Sequence, residues 1–333
     1  MSRVRILGGG IYGCHVALAL MDEGHDVEIH EIADRLFAGA SGNIPARLHQ
    51  GFHYPRSRIT RAACQDHQEE FLCRYGFLTH GIPINIYAIA ADESMLDYAQ
   101  YLDTLSGEVD FIPLHDPREY GLQNVEGAVL TGERHIICDF ARDYFLGLLK
   151  GHVRFGVEPG LIDDPRWDMT IDCTFAANNS AGVDRYEPCL TLLMEGPVDK
   201  AVTIMDGPFP SLYVWREDLG LSSLTSAQWT PFSKACKTWA EARALLDGLG
   251  QADIHAQATG MIRSMAHFFP EIQERYELAD YRLSIRAMPL SGADTRLIEV
   301  VRVGERALRV RAGKIDAVIQ AERAIKQMMG VMV

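Results

Sequence analysis

The residues best suited to chemistry lie in one short stretch, Ser41-Gly42-Asn43-Ile44-Pro45-Ala46-Arg47-Leu48-His49-Gln50-Gly51-Phe52-His53-Tyr54. Ser41 and Asn43 can donate hydrogen bonds, and Gly42 and Gly51 permit a ligand to approach the backbone closely. His49 and His53 titrate near neutrality, so either can move a proton, and Tyr54 can bind substrate beside them. The same mixture also suits a polar surface loop built on Gly-Asn turn chemistry.

The preceding residues decide how such a stretch would be held. Val4, Ile6 and Leu7 predict a buried strand. Gly8, Gly10 and Gly13 fit G-x-G-x-x-G, with Ile11 and Tyr12 filling the turn. Val16, Ala17, Leu20 and Met21 then recur at helical spacing, and Gly24 suits a helix C-terminus. A second strand, Asp26 to His30, ends on Glu31. Gly8 permits a tight turn, Gly10 lets backbone approach a pyrophosphate, and Gly13 lets helix and strand pack. The helix start supplies free N–H groups and partial positive charge for phosphates. Glu31, eighteen residues after Gly13, is placed to accept ribose hydroxyls and would repel a 2′-phosphate. Strand, turn, helix, strand and acid together predict a dinucleotide site. The glycines alone leave FAD and NAD both open.

Composition narrows the remaining classes. A chain of 333 residues can bury a large core and suggests two domains. Its net charge of −13 argues against a nucleic-acid partner and against an anionic membrane surface. No apolar run reaches membrane-spanning length. A strand leading straight into the glycine turn leaves no room for a signal peptide, and seven cysteines without paired spacing suggest reduced thiols. A cytoplasmic location is expected. There is no Cys-x-x-Cys or histidine-rich metal signature, internal repeat or low-complexity linker.

The opening glycines, Glu31, and above all Ser41-Gly42-Asn43 with His49-Gln50-Gly51-Phe52-His53-Tyr54 resemble the FAD-dependent oxidoreductases of the D-amino-acid oxidase superfamily. The second motif is most similar to the branch of L-2-hydroxyglutarate dehydrogenases and oxidases. The resemblance covers the first seventy residues well and the rest patchily. It implies FAD as the cofactor, with the Ser41-to-Tyr54 stretch, Arg47 and His49 included, lying along the flavin.

The resemblance also implies a discontinuous layout. An α/β, Rossmann-like FAD-binding domain is expected from residues 1–78, 150–186 and 281–333. A β-rich (α+β) substrate-binding domain is expected from 79–149 and 187–280. A helix is expected from Arg58 to Tyr75, with His67 solvated on it, and others over 92–105, 234–249 and 252–268. Asp139 is expected to cap a helix running to Leu149. By resemblance, Val157 turns its backbone to the adenine. Thr174 follows a strand where the family has Ala-Thr-Gly, but here the run is Cys173-Thr174-Phe175. Near the end, Ala312-Gly313-Lys314-Ile315 opens a last helix whose positive end would face the flavin pyrimidine, with Lys314 adding charge there. Tyr213 and Arg216 lie on a strand expected in the wall facing the flavin, and Arg286 lies where the family often binds a substrate carboxylate.

The expected reaction is oxidation of a CH–NH or CH–OH group of a small amino or hydroxy acid, or a related metabolite, by hydride transfer to flavin N5. His49 or His53 would take the substrate proton and Arg286 would anchor a carboxylate. Oxygen or another acceptor would reoxidise the flavin. Two rivals share the opening motif: an NAD-dependent dehydrogenase and a non-catalytic flavin-binding subunit.

Overall fold

The computed structural model describes residues 1–178, 182–232, 236–289, 297–311 and 313–330. Arg3–Leu7 is the centre of a six-stranded sheet, paired in parallel with Asp26–Glu31 and Met169–Asp172. The full order is Glu299–Gly304, Ala307–Arg311, Met169–Asp172, Arg3–Leu7, Asp26–Glu31 and Val153–Phe155. Only the edge strand Glu299–Gly304 runs antiparallel to its neighbour. Strands from the beginning, middle and end of the chain thus build one sheet. The helices Ile11–Asp22 and Val318–Met329 cover it, and Ile11, Val16, Ala17 and Leu20 share a core with Val318, Ala321 and Ile325.

A second, eight-stranded sheet has the order Glu277–Pro289, Val183–Glu195, Leu221–Ser226, Pro210–Arg216, Lys200–Met205, Ile84–Ala90, Val125–Thr131 and Phe111–Pro113. All its pairings are antiparallel except Lys200–Met205 with Ile84–Ala90. Side chains alternate across a strand, and this sheet uses both faces. Ile86, Val202, Leu212 and Leu224 meet Ile254, Ala258, Met261 and Met265 of the helix Gln251–Phe268. The intervening positions Asn85, Tyr87, Thr203, Ser211 and Tyr213 form a polar opposite face that is nevertheless buried. A small sheet of Arg47–Leu48, Arg134–Ile136 and Thr79–Gly81 lies between the large ones.

Several expectations change. Residues 281–289, grouped above with the FAD-binding segments, pair along Val183–Glu195 in the second sheet. The helix expected from 92 begins at Tyr98, because Asp97 and Gln100 close a reciprocal capping box there. Asp139 is not a cap: it lies in the first turn of Cys138–Leu148 and binds Arg142. His67 is buried rather than solvated, which pulls its pKa below the ordinary value. The helix expected from Lys234 begins at Trp239, capped by Thr238; Lys234 itself lies outside the described residues. The last helix begins at Val318 rather than at Lys314, and Ala312 lies outside the described residues.

Candidate active site

The glycine turn has the geometry its spacing predicts. Gly8 has φ +95°, a left-handed conformation that disfavours a side chain. A Cβ on Gly13 would lie 1.9 Å from the Gly8 carbonyl oxygen, so only glycine lets helix and turn meet. A Cβ on Gly10 would project to 3.0 Å from Ser41 Oγ. Gly10 offers no side chain to cap the helix Ile11–Asp22, so N–H groups of its first turn remain for an anion. Ser41 Oγ accepts from the Ile11 N–H at 3.1 Å, which ties the Ser41-to-Tyr54 stretch to the helix start.

Glu31 is buried at the end of its strand. Its carboxylate accepts from the N–H groups of Gly9, at 2.6 Å, and Ala33, at 2.8 Å. The Val157 N–H donates to the Glu31 carbonyl, so Val157 and Glu31 flank the same end of the sheet. Thr174 packs against Gly8, while its N–H and hydroxyl both donate to Asp172. No glycine stands at this corner. Phe175 and Ala176 take the left-handed conformation instead, with φ of +56° and +65°. Asn43 closes its own loop, donating to the carbonyls of Ala38 and Gly39.

His49, His53 and Tyr54 come together as the two histidine residues and the tyrosine of one aromatic group. Ring centroids are 5.7 Å apart for His49 and His53, 5.8 Å for His49 and Tyr54, and 5.4 Å for His53 and Tyr54. Lys314 Nζ stands 4.1 Å from the centre of the Tyr54 ring. This cation is buried and makes no hydrogen bond among the described residues. The Lys314 carbonyl accepts from the Tyr12 hydroxyl, which fastens the turn before the last helix to the glycine turn. Burial holds His53 well below the ordinary imidazole pKa, and His49, Arg47 and Lys314 push it further down. Its Nδ1 has no partner among the described residues.

Three further groups in this region carry no sequence signal of their own. Glu133 is fully buried and accepts from the Tyr87 hydroxyl at 2.6 Å and from the Gln50 N–H at 2.7 Å. Burial raises its pKa. Asp316 is also fully buried, with neither carboxylate oxygen partnered among the described residues, and burial pushes its pKa up to about 6. Burial likewise pushes the Cys64 thiol up to about 11, beside Lys314. A Gly-Glu pair in a turn and an Asp before a helix normally read as solvated groups, and only the packing of distant elements buries them.

The remaining candidates are distributed around this centre. Arg47 turns away from the glycine turn, donating to Thr203 Oγ1 at 3.0 Å and to Ser211, with its guanidinium 4.0 Å from the Tyr213 ring centre. Tyr213 is fully buried beneath Arg47. Arg286 pairs with Glu187 across the sheet through Nε and one terminal nitrogen, at 3.0 and 2.6 Å. Arg216 binds Asp139 and Asp218. It lines a cleft with Gly42, Asn43, His135, Arg142 and Arg282, a lining that His49 and His53 do not join.

These groups fit an FAD: a glycine cradle at an uncapped helix start, a buried acid at the end of the second strand, and partnerless polar atoms at Lys314 and Asp316. No family model matches the chain. Among known proteins it is 35% identical over 331 residues to the FAD-dependent monooxygenase FPY4 of Fusarium mangiferae, covering 96% of this chain and 89% of that one. Among solved structures it resembles glycine oxidase from Bacillus cereus at TM-score 0.70 and 13% identity, covering 99% of this chain and 95% of that one. It also resembles the FAD-bound L-α-glycerophosphate oxidase from Mycoplasma pneumoniae at TM-score 0.69 and 12% identity, covering 98% and 94%. The fold and site define an FAD-dependent oxidoreductase, and the chain belongs to the family of the FAD-dependent monooxygenase FPY4, with the fold of the glycine oxidase and glycerophosphate oxidase structures. FAD displaces NAD as the cofactor, and the enzymatic relative displaces the non-catalytic alternative. No helix among the described residues is long and apolar enough to cross a membrane.

Proposed function

We propose that the enzyme oxidises a C–H bond beside an amine or hydroxyl of a small amino or hydroxy acid, or a related metabolite. The observation that supports this reading best is the group of His49, His53, Tyr54 and Lys314. It lies between the glycine-turn unit and the polar face of the second sheet. Pockets at such junctions are where ligands bind. In this reading Gly8, Gly10, Ile11, Tyr12, Gly13, Glu31, Ser41, Gly42, Val157 and Thr174 hold the dinucleotide, and Gly313 to Ile315 approach the flavin. FAD, when bound, supplies the two-electron acceptor for the hydride. The protein's own work is positional and acid–base. A histidine kept neutral by burial can accept the proton of a substrate hydroxyl or ammonium. The Lys314 ammonium favours negative charge developing beside it. Arg286, with one terminal nitrogen outside its pairing with Glu187, can meet a substrate carboxylate.

A second reading is supported by the Fusarium relative, which is named a monooxygenase. Anaerobic mixing with amines and hydroxy acids separates the two. Bleaching of the flavin band near about 450 nm by the substrate alone supports dehydrogenation. A requirement for a nicotinamide reductant, with ¹⁸O from labelled O₂ entering the product, would replace it with oxygen insertion.

A further inference from the structure

Glu133 sits in the link between the strands Val125–Thr131 and Arg134–Ile136, fully buried, and grips the backbone directly after His49 through the Gln50 N–H. The same oxygen, Oε1, stands 3.7 Å from His49 Nδ1. Its other oxygen takes the Tyr87 hydroxyl. The charged and titratable groups around this pair come from several elements. They are Arg47, His53 and Tyr54 on the stretch itself, Cys64 on the helix Arg58–Tyr75, Tyr87 and Tyr213 on the second sheet, Tyr101 on the helix Tyr98–Leu105, and Lys314 and Asp316 before the last helix. A glutamine would satisfy much of the same hydrogen bonding without placing a carboxylate in the interior, where its charge is costly. The position of that charge, against one nitrogen of an imidazole, therefore calls for a role beyond packing.

We propose that Glu133 is the positioning residue for His49, holding the Nδ1 side of the ring so that Nε2 takes the proton of the substrate. This rests on the oxidation reading above. The substrate O–H or N–H bond breaks, its proton forms a bond to Nε2, and the hydrogen on Nδ1 stays where it is. The imidazolium so formed faces the carboxylate, which need not take up the proton itself. The C–H hydrogen leaves with its electron pair to the FAD. A carboxylate behind a histidine thus sets the tautomer and stabilises the charged ring, the general logic of oriented bases.

The test uses the FAD-loaded enzyme with ring-labelled histidine and needs no substrate. Nitrogen shifts give the tautomer of His49, whose signal is assigned by its loss in H49N. The expected result is the Nδ1–H tautomer in the wild type, and in E133Q a fall in His49 proton affinity of about tenfold or more. An Nε2–H tautomer in the wild type overturns the proposal, and so does an unchanged titration in folded E133Q. If E133Q does not fold, the wild-type tautomer alone decides. Failure of every amine and hydroxy acid to bleach the flavin would count against the reaction, and leaves the tautomer result standing.

Discussion

At the scale of single residues, the glycine turn separates steric roles that the motif lumps together. An added Cβ at Gly13 meets backbone at 1.9 Å, whereas at Gly10 it meets only the end of the Ser41 side chain at 3.0 Å. Gly13→Ala is therefore expected to destabilise the fold by roughly 3 kcal/mol or more. Gly10→Val is expected to fold yet lose its flavin. Melting curves and flavin absorbance of the two purified variants check this, and a Gly10→Val protein with full flavin content removes Gly10 from the cradle. Asp316 gives a pH dependence. Its folded-state pKa, about 6, lies above the ordinary 3.8, so the unfolded chain gives up this proton more readily. The ionised group therefore opposes folding as pH rises, fully above about 6 and hardly at all below about 4. Asp316→Asn should stabilise flavin-free protein at pH 8 by about 3 kcal/mol, seen as a higher melting temperature, and leave it nearly unchanged at pH 4. An equal gain at both pH values would contradict the buried-charge account.

At the scale of elements, the two-residue strand Arg47–Leu48 joins what the two sheets hold. Arg47 fastens it to Thr203, Ser211 and Tyr213, and Ser41 fastens the same stretch to the first helix. Replacing Arg47 with Met removes charge-assisted bonds and leaves two buried hydroxyls to each other, a loss of about 2–4 kcal/mol. Amide hydrogen exchange in residues 47–55 should then quicken before that in the sheets, and exchange spread evenly over the chain would deny the stretch this dependence. The same stretch shows what a sequence can disclose. The glycine turn and Glu31 were legible because their geometry is local, confined to one strand, one turn and one helix. The grouping of His49, His53 and Tyr54 was legible as composition, but Arg47 was not, since its direction is set by hydroxyls about 160 residues away along the chain. Glu133 and Asp316 were invisible for the same reason. Phe175 carries no local signal of its conformation either: the surrounding packing holds it at φ +56°, a region that side chains rarely adopt.

At the scale of the whole molecule, one sheet is assembled from distant parts of the chain and the other presents a buried polar face toward it. A cofactor lying between them should couple their stabilities. Binding to the folded state alone adds about 4 kcal/mol at a thousandfold excess over Kd. The four tryptophans report this separately. Trp167 packs under Arg3 on the first sheet, at 4.3 Å, while Trp239 meets Tyr186 edge-on and Trp215 lies on Pro210–Arg216 in the second. Trp229 covers Gly260 on the helix beneath that sheet. One variant keeps only Trp167, and another replaces Trp167 with Phe and keeps the other three. If FAD bridges the two units, adding it to flavin-free protein raises the unfolding midpoint by the same amount in both variants. If the glycine-turn unit holds FAD alone, only the Trp167 midpoint climbs with FAD concentration. The second unit then unfolds as it did without cofactor, and the histidine pair loses its place against the flavin.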